Sequence, residues 1–202
     1  MNAAPTLSRR GFVLVGGRSS RMGTDKALLR LGGQTLLERA LAVLRGVCRE
    51  VAVAGDPARF ASYAVTLPDV FPACGPLSGI HAALRDSPAE LNFVLAVDMP
   101  NVSTELVAFL LALAAGCDAV VTVPRTGRGF QPLCAVYRPS FATVAEQALR
   151  TGRYKIDALF AGLSIRAVGE PELMAAGFSE QSFVNLNTPE DVQAAQPRPS
   201  ST

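Results

Sequence analysis

The residues best suited to chemistry lie together near the start of the chain, in Gly11-Phe-Val-Leu-Val-Gly-Gly-Arg-Ser-Ser-Arg-Met-Gly-Thr-Asp-Lys26. A short apolar run, Phe12 to Val15, stops at Gly16 and Gly17, and Arg18, Arg21, Asp25 and Lys26 follow. The run reads as a buried strand, and the glycines release the backbone into a turn that exposes its N–H groups. Such groups, joined by arginine and lysine, suit a polyphosphate. A second acid, Asp98, directly follows the apolar run Phe93–Val97. A carboxylate at the C-terminal end of a buried strand faces the ligand crevice, and Mg²⁺ is held by one or two carboxylates plus phosphate oxygens. Together these residues predict a nucleotide site with a divalent ion at Asp98.

Two common phosphate loops do not fit. A P-loop needs G-x-x-x-x-G-K-[ST], whereas here five residues separate Gly17 from Gly23, and Thr24-Asp25 precede Lys26. A dinucleotide fingerprint needs G-x-G-x-x-G and a later acid at a strand end, and neither occurs.

The elements that must position these residues alternate. Strand-like runs are Phe12–Val15, Val51–Ala54, Phe93–Val97, Ala119–Val123 and Leu133–Tyr137, with Ile165–Val168 as an edge strand. Between them, Thr35-Leu-Leu-Glu38 has capping-box spacing ahead of the helical face Leu36, Leu37, Ala40, Leu41 and Leu44. Further helices are expected from Gly79 to Leu84, from Ser103 or Thr104 to Ala115, from Pro139 to Leu149, and from Thr188 onward. Such alternation predicts an α/β fold, a mostly parallel twisted sheet with helices on both faces. The loops at the C-terminal strand ends are then Gly16–Lys26, Gly55–Pro57, Asp69–Gly79, Asp98–Pro100 and Pro124–Gln131.

The totals agree. With 202 residues, 49% hydrophobic and 18% charged, the chain supports one domain, expected over 11–196, between a flexible segment 1–10 and a disordered tail 197–202. A net charge of +2 argues against nucleic acid. No apolar run reaches the ~18 residues of a membrane span, and Arg9-Arg10 precedes too short an apolar stretch for an export signal. Four scattered cysteines and a single histidine, His81, point to core thiols in a reducing cytoplasm rather than to zinc or disulfides.

Five segments then carry a resemblance. Leu14-Val-Gly-Gly-Arg-Ser-Ser-Arg-Met-Gly-Thr-Asp-Lys26 resembles the nucleotidyltransferase loop L-x-G-G-x-x-x-R-M-G-x-D-K. Gly75-Pro-Leu-Ser-Gly79, Asp98-Met-Pro100, Gln131-Pro-Leu-Cys-Ala-Val-Tyr137 and Asn185-Leu-Asn-Thr-Pro-Glu190 are similar, in order, to motifs of the molybdenum cofactor guanylyltransferases. The resemblance covers roughly residues 11–195. It implies a three-layer αβα, Rossmann-like fold of the nucleotide-diphospho-sugar-transferase type. It also implies Mg²⁺-dependent transfer of GMP from GTP to Mo-molybdopterin, with pyrophosphate released.

By the same resemblance, Leu14, Val15, Gly16, Gly17, Lys26, Asp69 and Asp98 would bind the nucleotide. Lys26, Arg21 and Asp98 would act in catalysis. Gly75, Pro76, Leu77, Gly79, Gln131, Asn185 and Asn187 would meet the molybdopterin substrate. Maturation factors or recipient apoenzymes would be transient partners. Two positions depart from the pattern: Val15 replaces the usual alanine of L-A-G-G, and Ala54 stands where some relatives carry asparagine. The alternatives are cytidylyl transfer to the same cofactor, transfer to another small phosphate, and a non-catalytic chaperone for the finished cofactor.

Overall fold

The computed structural model describes residues 7–16, 25–85, 87–186 and 191. In chain order it contains β1 (Arg9–Leu14), a hairpin of β2 (Arg30–Leu31) and β3 (Gln34–Thr35), α1 (Leu36–Arg45), β4 (Glu50–Ala54), α2 (Pro57–Phe60) and β5 (Val65–Leu67). Then follow α3 (Pro76–Arg85), β6 (Leu91–Ala96), α4 (Thr104–Ala115), β7 (Val121–Thr126), β8 (Gly129–Phe130), β9 (Cys134–Tyr137), α5 (Phe141–Arg150), β10 (Ile165–Gly169) and α6 (Glu170–Ala175). Short 3-10 turns cover Lys26–Leu28, Asp157–Phe160 and Glu180–Phe183.

The main sheet runs β10-β7-β9-β6-β1-β4-β5, with β8 paired to β7. Its pairings are parallel except those of β8 and β9. This is the expected mostly parallel sheet, with β10 on the edge. β6 is buried along its whole length, as a strand covered on both faces must be. Helices α1 and α4 cover one face around Leu37, Leu41, Leu44, Leu106 and Leu110. Helices α3 and α5 cover the other around Leu77, Ile80, Tyr137 and Phe141. The result is the three-layer αβα arrangement.

Local signals account for several boundaries. Thr35 caps α1: its Oγ1 accepts from the Glu38 N–H at 3.1 Å, while its own N–H donates to Glu38 Oε2 at 2.7 Å. This capping box was legible in the sequence. Ser103 Oγ accepts from the Leu106 N–H and caps α4. Asn92, buried in β6, bonds to the carbonyls of Ala89 and Tyr137 and so ties β6 to β9 from inside the core.

Some expectations shift. β1 begins at Arg9, so it takes in two residues expected in the N-terminal segment. α3 starts at Pro76 rather than Gly79, because Gly75, at φ +73°, turns the chain directly into the helix. β7 extends through Pro124 to Thr126, although the sequence placed Pro124 at the head of a loop. Proline is tolerated there because it falls between the stretch of β7 paired with β9 (Val121, Thr122) and the stretch paired with β8 (Arg125, Thr126), where its carbonyl accepts from the Gln131 N–H at 2.9 Å and no ladder bond needs its missing N–H. The basic run Arg125–Gly129, which the sequence placed in the Pro124–Gln131 loop, is the β7–β8 hairpin. It is tied down by Arg128 to Glu180 at 3.2 Å and by the Gly127 N–H to Glu170. The helix expected from Thr188 and the tail 197–202 fall outside the described residues.

Candidate active site

The chain leaves β1 to build β4 and β5 on one side, then crosses back through α3 to place β6 on the other. The strand order therefore reverses at β1, and open α/β sheets bind ligands beyond the C-terminal strand ends at such a point. Leu14 is in register with Ala54 on one neighbour and with Ala96 on the other, so three strands end at one level. The next residues knit these ends together. The Val97 N–H donates to the Leu14 carbonyl at 3.1 Å, the Val15 N–H to the Ala54 carbonyl at 3.1 Å, and the Gly55 N–H to the Leu67 carbonyl at 2.9 Å. Gly16 stands exposed above this floor. Gly17 and Arg21, expected to touch phosphate, lie outside the described residues.

The chain returns at Asp25, which folds back as its turn chemistry suggests: Oδ1 accepts from the Ala27 N–H at 3.0 Å. Its other oxygen meets Arg59 of α2 at 2.5 Å. Ala27 is buried in the core, which anchors the turn and directs Lys26 toward the strand ends. Lys26 Nζ lies 2.8 Å from Asp98 Oδ2, with side-chain exposures of only 15% and 22%. The two residues singled out for triphosphate and metal, 72 positions apart, are thus in direct contact.

Asp98 is held rigidly. Val97 and Met99 on either side are buried, and the Asp98 carbonyl accepts from the Leu186 N–H at 2.9 Å. That bond brings Asn185 beside the acid loop, with its own side chain exposed. Asp98 Oδ1 is buried without a hydrogen-bond partner among the described residues. An orphaned carboxylate oxygen at a C-terminal strand end would suit a hard cation shared with a ligand. No group of three His, Cys, Asp or Glu side chains converges among the described residues. A single acid would hold Mg²⁺ only together with ligand oxygens, a donor set that this ion accepts.

The remaining expected residues divide. Leu77 is fully buried, and its side chain serves the core. Gly79 packs tightly beneath β1: a Cβ there would sit 3.1 Å from Leu14 Cδ2, so the leucine tip would have to give way to admit a side chain. Gly75 and Pro76 are exposed at the start of α3. Asp69 lies on the exposed loop after β5, where partial desolvation raises its carboxyl pKa above the ordinary value. Gln131 turns its amide back on the hairpin, donating to Thr126 Oγ1 at 3.1 Å. Asn187 lies outside the described residues. Arg59 was not legible as a site residue, because α2 is too short to show periodicity. His81 is buried on α3, packed edge-on against Phe71, with its Nε2 3.8 Å from Glu146. Burial pushes its pKa down. No described helix is long and apolar enough to cross a membrane.

Comparison with known proteins agrees with this geometry. The family model described as MobA-like NTP transferase domain matches residues 11–166. A probable molybdenum cofactor guanylyltransferase of Pelotomaculum thermopropionicum is 37% identical over 194 residues, covering 94% of this chain and 93% of that protein. The molybdenum cofactor guanylyltransferase of Desulfosudis oleivorans is 34% identical over 190 residues, covering 92% and 93%. Among solved structures, the molybdopterin-guanine dinucleotide biosynthesis protein A of Archaeoglobus fulgidus superposes with a TM-score of 0.80 at 28% identity, covering 93% of this chain and 96% of that one. The fold alone is shared with 2-C-methyl-D-erythritol 4-phosphate cytidylyltransferase of Thermus thermophilus, at a TM-score of 0.66 and 22% identity over 92% of this chain and 96% of that one.

Proposed function

The chain belongs to the MobA-like NTP transferase family and is a nucleotidyltransferase, and on that footing we propose that it transfers GMP from GTP to Mo-molybdopterin, giving the guanine dinucleotide cofactor and pyrophosphate. The observation that carries this reading is the Lys26–Asp98 contact at the strand-order reversal.

The chemistry asks little of acid–base catalysis. A terminal phosphate oxygen of the acceptor forms the new bond to the α-phosphorus, and the bond from that phosphorus to the bridging oxygen breaks, releasing pyrophosphate. The nucleophile is already an anion. The barrier lies in bringing two anions together and in stabilising the leaving pyrophosphate, which calls for positioning and electrostatics. A Mg²⁺ ion at Asp98 would neutralise charge on the phosphate oxygens it shares. Lys26 exchanges its carboxylate partner for triphosphate oxygens when the nucleotide enters, so its charge is placed before binding. Arg21 is assigned to the β/γ end, where a guanidinium fork suits phosphate. The exposed Asn185, held beside Asp98, and the exposed Gly75-Pro76 turn are assigned to the acceptor.

The test is pyrophosphate release from each nucleoside triphosphate with Mo-molybdopterin, with and without EDTA. GTP-dependent, EDTA-sensitive release is expected. Exclusive use of CTP would replace guanylyl by cytidylyl transfer. Tight binding of the finished cofactor with no turnover of any triphosphate would favour the chaperone reading.

A further inference from the structure

Two adjacent arginines, Arg9 and Arg10, open β1 at the end of the sheet away from Lys26 and Asp98. A strand rises about 3.3 Å per residue, so roughly 16 Å of chain separates Arg9 from Leu14. A cavity of about 490 Å³ lies at this lower end. Arg9, Arg10 and Arg49 line it together with Leu7, Val47 and Ala89. Its volume falls in the range of small-molecule sites. We propose that this cavity binds a small amphipathic anion, with a carboxylate or phosphate head on the arginines and a hydrocarbon body on the apolar wall. Such a site goes beyond nucleotidyl transfer and stands independently of it.

Charge is in excess there. The three arginines share the lining with one acid, Glu50, and a guanidinium in a protein does not give up its proton. Arg9 Nε and Arg10 Nε are both buried and have no hydrogen-bond acceptor among the described residues. A buried N–H left without an acceptor costs its desolvation penalty in full. Glu50 does not remove that cost: its Oε2 is 3.5 Å from Arg10 Nε, and its side chain is 66% exposed. So solvated a pair neutralises little. Arg10 is instead held over the Phe12 ring, its Cζ 5.2 Å from the centroid, which positions the charge without cancelling it. Another acid at this end, Glu90, is engaged by Ser8, accepting from its N–H at 3.1 Å and from its hydroxyl at 3.4 Å. Arg49 stands exposed at the rim.

The rest of the lining is carbon. Side chains alternate along a strand, so Arg9 and Arg10 lean to opposite faces of the sheet. Arg9 shares the face of Gly11, which packs against Leu44 and Cys48, and Arg10 shares the face of Phe12. The cavity therefore reaches around the first residues of β1, with a guanidinium on either side. Leu7 and Val47 pack partly against the core beneath α1 and α4, and Ala89 is buried. Pro88, also in the lining, is exposed. A hydrocarbon body gains by covering Leu7 and Val47. A carboxylate or phosphate accepts from a guanidinium through two oxygens at once. A bare inorganic anion satisfies the arginines but leaves the carbon wall wet, and a neutral hydrocarbon leaves the buried N–H groups without acceptors. An amphipathic anion meets both demands.

Calorimetry on the full chain tests the site, with sodium octanoate, octyl phosphate and inorganic phosphate as probes. Saturable binding of octanoate or octyl phosphate is expected, with inorganic phosphate weaker than octyl phosphate by about tenfold or more. The tighter of the two octyl probes assigns the head as carboxylate or phosphate. Arg9→Gln removes a charge-assisted bond and should weaken binding by about tenfold or more. Should Arg9→Gln not fold, Arg49→Glu reverses a charge on an exposed residue, and a similar loss is expected. Lys26→Met, at the other end of the sheet, should leave octanoate binding unchanged. In ¹H–¹⁵N spectra the Nε–H resonances of Arg9 and Arg10 should shift as octanoate is added. No saturable binding of either octyl probe overturns the site, as does inorganic phosphate binding as tightly as octyl phosphate. Binding that survives Arg9→Gln and Arg49→Glu, or that is lost in Lys26→Met, overturns it as well.

Discussion

Replacing Asp98 by asparagine separates what the Lys26 contact does for stability from what it does for chemistry. At 2.8 Å the pair has a gross attraction of about 6 kcal/mol at an effective dielectric of about 20. Both side chains are mostly withdrawn from water, so desolvation offsets most of this. Losing one partner of a fully buried pair costs about 3–5 kcal/mol. Here both side chains keep some exposure, 15% and 22%, and the asparagine Oδ1 still accepts from Nζ. We expect a loss of about 1–3 kcal/mol, a fall in Tm of roughly 2–12 °C at about 2–4 °C per kcal/mol for a chain of this size. Turnover should fall much further, by about 100-fold or more, the usual consequence of removing one preorganised electrostatic group. Lys26→Met/Asp98→Asn sharpens the distinction. It removes both charges, so it should regain most of the lost Tm while remaining inactive. The assay pairs thermal unfolding with pyrophosphate release from Mg-GTP and Mo-molybdopterin. Near-wild-type turnover in Asp98→Asn, or a double variant that regains activity with its stability, would refute the assignment of this acid to the reacting phosphates.

Three further outcomes follow from the packing. The folded-state pKa of His81 is depressed below 6.5 by burial, only partly countered by Glu146. The unfolded chain therefore binds the proton first, and stability declines as pH falls from 6.5 toward the folded-state value. His81→Leu should flatten that decline in urea midpoints measured from pH 7 to 5, and an unchanged slope would count against it. Asn92→Ala strands the carbonyls of Ala89 and Tyr137 in the core, so denaturant unfolding should show a loss of about 2 kcal/mol or more. Burial pushes the Cys48 thiol up to about 11 and Cys134 upward as well, whereas Cys74 and Cys117 are half-exposed. Maleimide labelling read by mass spectrometry should modify Cys74 and Cys117 first, and comparable labelling of Cys48 in the native protein would contradict this burial.

Much of the architecture and part of the site were legible in the residues, because the signals involved are local. An apolar run ended by glycines marks a buried strand and a turn wherever it occurs. Thr35 and Glu38 cap a helix through groups three residues apart. Asp98 after an apolar run faces a crevice by the geometry of strand ends, and the motif order identified the family. What the sequence missed depends on non-local pairing. The start of α3 at Pro76 and the passage of β7 through Pro124 follow from how neighbouring elements share hydrogen bonds. The role of Arg59 follows from the folding-back of Asp25. Leu77, expected at the substrate, is instead claimed by the core between α3 and the sheet.

The order and types of the residues alone determined that this chain is an α/β nucleotidyltransferase. Only the tertiary structure decided that Lys26 and Asp98 touch and that Leu186 anchors the acid loop. The physical reason is range. Periodicity, capping and turn chemistry act over a few residues of chain. Steric exclusion and ion pairing act through space, between segments whose distance apart is set by the packing of the whole sheet.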